Sequence, residues 1–167
     1  NNGKRAGEFI KEATKRKEQA SRREQLYIDL LAAYHSGSRK DEKARRDAMV
    51  KAYEELIYEF PEDLEAKAFL VFQLWDNKQH GVPLPSRLAV EALAQQVLDK
   101  APMHPGVHHY LIHLWNYGGS DKRAAASAAR CGQAAPGIAH MWHMSGHTFS
   151  ELKRYEDAVW QQEAAAR

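Results

Sequence analysis

Two stretches of the chain repeat one arrangement 34 positions apart, and this repeat limits the fold more than any other feature. The first is HPGVHHYLIHLWNYGGSDKRAAASAARCGQ, from His104; the second is PGIAHMWHMSGHTFSELKRYEDAVWQQEAAAR, from Pro136. Each reads as helix, turn, helix. In the second stretch Ala139, Trp142, Gly146 and Phe149 step by three, four and three residues, the spacing of one stripe on a helix. His140, His143 and His147 lie one residue further round, about 100° of helical rotation away. In the first stretch His108, Leu111, Ile112 and Trp115 form the packing stripe, and His109, His113 and Asn116 are displaced in the same sense. His109 thus falls in register with His143, and His113 with His147. The repeat predicts two adjacent helices that present imidazoles from the same side.

A 34-residue period of helical hairpins carries specific packing positions, and the second stretch keeps them at Trp142, Gly146, Phe149, Tyr155, Ala158 and Ala165, with LKRYEDAV opening its second helix. In these residues the chain resembles the tetratricopeptide repeat family. The first stretch keeps Leu111, Trp115, Gly119, Ala124 and Pro136, but has His108 in place of the usual tryptophan and Ile112 in place of the small residue. Pro61, Pro102 and Pro136 resemble the family's inter-repeat proline. Their spacings are 41 and 34, and the extra residues fall in the turn DNKQHGVPLPS, where Gly81, Pro83 and Pro85 exclude a helix. That turn reads either as a lid over a binding face or as a tolerated surface insertion.

The resemblance implies an all-α fold: a right-handed solenoid of about four stacked antiparallel hairpins spanning residues 21–167, preceded by a basic helical arm at 1–20. It also implies protein or peptide binding in the concave groove. On the family's mapping the groove wall carries His109, His113 and Asn116 from one hairpin, and His140, His143, His147, Ser150 and Glu151 from the next. Glu65, Phe72, Trp75 and Asp76 take the corresponding face of the hairpin before. Groove-facing positions make up about an eighth of such a chain, so chance places about one of the nine histidines there. Five is an excess with a chemical reading.

Neutral imidazole is a good ligand for Zn, Cu, Ni or Fe, and histidines four apart on a helix can share one ion. His109 with His113 and His143 with His147 are two such pairs, with His140 one turn before His143. Adjacent helix axes about 8 to 10 Å apart let imidazoles from both reach a common ion. Three readings remain open from the residues alone. The groove binds a divalent transition metal through its histidines; or it is a metal-free peptide-binding scaffold whose histidines hydrogen-bond to one another or to anionic ligands; or the histidines and carboxylates form a catalytic metal centre. The remaining histidines have structural readings: His108 in the core, His104 capping a helix, His35 near a helix C-terminus and His80 exposed in a turn.

Composition narrows the alternatives. No apolar run reaches the roughly 18 residues of a membrane span, so a soluble chain is expected. The basic excess lies in residues 1–46, but Glu8, Glu12, Glu18 and Glu24 are interleaved with it, and Glu8 with Glu12 and Lys11 with Lys15 are spaced as helix-face neighbours, which reads as a solvated helix and not a nucleic-acid arm. The single cysteine, Cys131, excludes an intrachain disulfide and a paired-cysteine metal site and reads as a buried thiol. No phosphate-binding glycine loop or nucleophile elbow occurs. The helical pattern still runs at Arg167 without a closing polar helix, so the repeat domain is expected to continue in a longer protein.

Overall fold

The computed structural model describes residues 2–36, 41–84, 86–116 and 121–167. Gly37, Pro85 and Gly119 lie outside them. Among the described residues there are nine α-helices and no strand. They are α1 (Asn2–Arg16), α2 (Arg22–Ser36), α3 (Glu42–Glu59), α4 (Leu64–Gln79), α5 (Arg87–Lys100), α6 (Pro105–Trp115), α7 (Ala125–Ala134), α8 (Ala139–Glu151) and α9 (Tyr155–Ala166). The chain forms two compact units, residues 1–82 and 83–167, and the turn after α4 joins them. In each, helices pack mainly against their neighbours in sequence, the contact pattern of a helical repeat.

Helix ends follow the local chemistry. Ser21 and Glu24, three residues apart at the start of α2, make a capping box: Glu24 accepts from the Ser21 backbone N–H at 2.8 Å and from its hydroxyl at 2.6 Å. Asp41, Asp63 and Ser86 each accept from an N–H in the first turn of α3, α4 and α5. At Gly81 the backbone turns through φ +78°, a conformation glycine adopts without cost.

In the first unit, buried charges tie the helices together. Asp63 accepts from Arg23 at 2.6 Å and from the Tyr27 hydroxyl at 3.1 Å, pinning the start of α4 to α2. Burial alone would raise the Asp63 carboxyl, but these bonds and the Ala66 N–H outweigh it and hold the group below its ordinary range. Arg46, buried on α3, bonds Asp76 at 2.5 Å and Asn77 at 3.2 Å on α4. The helical spacing of Ala44, Ala48, Ala52 and Leu56, with Tyr53, predicts that they face inward, but Ala44 and Ala48 are exposed; Arg46 and Met49 take the buried face of α3 with Tyr53 and Leu56.

The second unit positions the histidines. Ile112 from α6, Ala128 and Cys131 from α7, Met141, Met144 and Phe149 from α8, and Ala158 from α9 form one apolar cluster. α6 also touches α8 directly, across the sequence of α7. The expected α6 stripe of His108, Leu111, Ile112 and Trp115 is buried throughout. The α8 stripe needs correction: Gly146 and Phe149 are buried, but Trp142 is half-buried and Ala139 exposed, while Met141, Met144, Ser145 and Thr148 fill the interior. Because α8 meets α6, α7 and α9, its buried face is wider than one stripe.

Two glycines permit this closeness. A Cβ at Gly132 would lie 2.2 Å from the Trp142 ring, which is rigid, and one at Gly146 would lie 2.2 Å from the Gln162 amide. Trp142 also donates its indole N–H to the Pro136 carbonyl at 3.0 Å, which holds the ring over Gly132. Gly132→Ala should therefore force α7 and α8 apart and cost about 1–3 kcal/mol. Chemical denaturation followed by circular dichroism measures it; an unchanged unfolding midpoint would contradict the contact.

Candidate metal centre

Helix α6 begins at a cap formed by His104, whose Nδ1 accepts from the Val107 N–H at 3.2 Å, with Pro105 in the first turn. It ends at Asn116. There the side-chain carbonyl accepts from the Thr148 hydroxyl of α8 at 3.1 Å, with both groups buried. Asn116, expected on the groove wall, is thus spent on holding α6 against α8. His108 is a core histidine: Nε2 donates to the Pro102 carbonyl at 2.9 Å, and Nδ1 faces the Ser127 hydroxyl at 3.3 Å.

With α6 and α8 so fixed, the displaced imidazoles meet. His113 Nε2 lies 3.0 Å from His109 Nε2, and His140 Nε2 lies 3.2 Å from the same His109 nitrogen. The ligand atoms of His109, His113 and His140 all fall within 4.8 Å of one another. Among the described residues this is the one group of three that does so. A tetrahedral ion with metal–nitrogen bonds of about 2.0–2.1 Å separates its ligand nitrogens by about 3.3 Å. Two edges of the triangle already have nearly that length, and His140, at one end of the third, is the exposed member. The triad is geometrically able to hold a metal ion.

Hydrogen bonding alone accounts poorly for this arrangement. A ring nitrogen carries either one N–H or one lone pair, so it makes one good hydrogen bond. His109 Nε2 faces two others. A cation at the centre would accept a lone pair from all three.

The remaining two histidines form a pair of their own. His143 and His147 approach through Nε2 atoms at 2.9 Å, and the rings of His140 and His143 are 6.2 Å apart at their centroids. Gln162 of α9 orients the pair. Its amide nitrogen donates to the His143 backbone carbonyl at 3.3 Å, so its carbonyl oxygen is the atom facing His143 Nδ1 at 2.9 Å. This contact places a proton on Nδ1 and leaves the Nε2 lone pair free to accept. Ser150 and Glu151 are exposed beyond His147, and Ser150 borders an open cleft with His147, Tyr155 and Gln162.

The electrostatics suit ligands. Burial and the His140 ring push His109 down to about 4, and burial with His109, His140 and His147 does the same to His113. Burial and His143 lower His147, with Glu151 opposing them. At neutral pH His109 and His113 are neutral, the state that binds metal. Cys131 is excluded as a ligand: it lies in the apolar cluster, where burial pushes the thiol up to about 12.

The other expected site residues lie in the first unit. Asp76 pairs with buried Arg46, so its carboxylate is engaged within that unit. Phe72 and Trp75 are half-buried with ring centroids 5.9 Å apart, and Glu65 is exposed on the same helix. His35 is exposed, and exposed His80 places Nδ1 2.8 Å from the Asp76 carbonyl. Sequence reasoning missed Gln162 and Gly132. Comparison with known proteins adds nothing to these residues: no family model, no curated protein and no solved structure matches the chain.

The lowered histidines set the acid behaviour of the metal-free protein. Their folded pKa values lie below the unfolded value of about 6.5, so below that pH the unfolded state binds more protons. Stability should fall as pH drops from about 6.5 toward 4. Urea unfolding across this range should show a weaker pH dependence for His109→Gln than for the wild type. Equal dependence would mean that His109 is not held neutral.

Proposed function

We propose that this chain is a tetratricopeptide-type interaction domain whose second unit binds a divalent transition metal, Zn, Cu, Ni or Fe, through His109, His113 and His140. The observation that carries the metal is the position of His109 Nε2, within 3.2 Å of two other ring nitrogens and able to satisfy only one of them by hydrogen bonding. The partner is a protein or peptide bound on the histidine-bearing face of α6 and α8. That half of the proposal is supported by the 34-residue register and the sequential packing of the helices.

The all-nitrogen donor set favours these borderline metals over Mg or Ca, which take oxygen ligands. Imidazoles from two helices make the ion a tie between hairpins, so binding should stabilise the folded unit. No helix among the described residues is long and apolar enough to cross a membrane, so a membrane-spanning role has no support from them.

After chelator treatment, adding metal at a hundred times its dissociation constant should stabilise the protein by about 2.7 kcal/mol. His109→Ala should remove most of the rise in thermal midpoint, whereas His35→Ala and His80→Ala should keep it. If none of the four metals raises the wild-type midpoint, the metal reading fails and a metal-free peptide scaffold replaces it.

A further inference from the structure

The histidines divide into a triad and a pair, and one ion cannot serve both as they stand. His143 and His147 face each other at 2.9 Å, but among the described residues no third ligand atom joins them within the 4.8 Å that gathers the triad. The pair has what a ligand set needs besides proximity. The Gln162 amide fixes the ring of His143 with the Nε2 lone pair directed at His147 Nε2. Glu151 follows His147 by one helical turn, so His143, His147 and Glu151 form a stripe at i, i+4 and i+8. Its carboxylate is close enough for its charge to act on His147. His147 also borders the open cleft between α8 and α9, which leaves room for water or an exogenous ligand.

We propose that the second unit is a two-ion centre: one divalent transition-metal ion on His109, His113 and His140, and a second on His143 and His147 with the Glu151 carboxylate. The inference rests on the triad's binding a metal, as proposed above. The carboxylate supplies negative charge where two neighbouring dications meet otherwise neutral ligands, which an all-imidazole set would not provide. The first ion is held by three rings on two helices; the second has two rings and one carboxylate on a single helix and is the more weakly bound and more open site.

Titration of chelator-treated full-length protein with Zn(II) in a calorimeter, with elemental analysis after dialysis, tests this. The wild type should bind two ions per chain in distinguishable steps. His147→Ala should bind one, with the affinity of the tighter step unchanged. Gln162→Ala, which removes only the orienting amide, should keep two ions but weaken the second step about 10- to 100-fold. His109→Ala should lose the tighter step. Circular dichroism confirms that each variant is folded. A single wild-type ion whose affinity is unaffected by His147→Ala would overturn the second site, and a single ion weakened by both His109→Ala and His147→Ala would replace it with one shared ion. Either result leaves the metal reading standing. No binding at all would remove both.

Discussion

The contact between α6 and α8 decides what the histidines can do. These helices are not neighbours in sequence, and two features bring them together. Ile112 joins the apolar cluster containing Met141, Met144 and Phe149, and buried Asn116 bonds buried Thr148 across the interface. A hydrogen bond between two desolvated polar groups is costly to break, because each would be left without a partner. It therefore fixes the register of α6 on α8 more sharply than apolar contact does. That register brings His140 to His109. A slip of one helical turn, about 5.4 Å, would separate them.

The neighbours of α8 act on the same geometry less directly. Gly132 lets the Trp142 ring lie against α7, and Gly146 leaves room for the Gln162 side chain from α9. In both places the missing side chain brings a third element close to the histidine-bearing helix. The Gln162 case is the more specific. The amide occupies space that a Cβ at Gly146 would enter, and the same amide orients His143. Helix packing and ligand orientation thus share one small volume.

Much of this was legible in the sequence. The 34-residue register placed α6, α8 and the helices after them, and singled out five histidines displaced from a packing stripe. Periodicity also assigned His108 to the core and His104 to a cap. It misplaced residues where packing departs from one stripe per helix. Ala139 is exposed in the first turn of α8, where Met141 takes the buried position, and Ala44 and Ala48 are exposed where α3 buries Arg46 and Met49. Asn116 has the spacing of a groove residue, but helix α6 ends there and the side chain turns inward. The division into triad and pair was not legible, since it depends on side-chain directions across a helix interface. Nor was Gln162, whose role comes from α9 folding back along α8.

The metal-free energetics bear on why such a cluster would be present. Half-buried imidazoles gain little from the apolar effect, and burying them depresses the pKa values of His109 and His113 to about 4. This makes the folded state vulnerable to acid without strengthening it at neutral pH. Leucine at the same positions would bury more apolar surface and carry no proton linkage. Stability alone therefore gives no reason for five imidazoles to share a face. A cation changes the balance. The ring nitrogens that face one another become ligands, the neutral state enforced by burial becomes the required one, and the free energy of binding adds to that of folding. The arrangement that is costly without an ion is the one that would bind it with the least rearrangement.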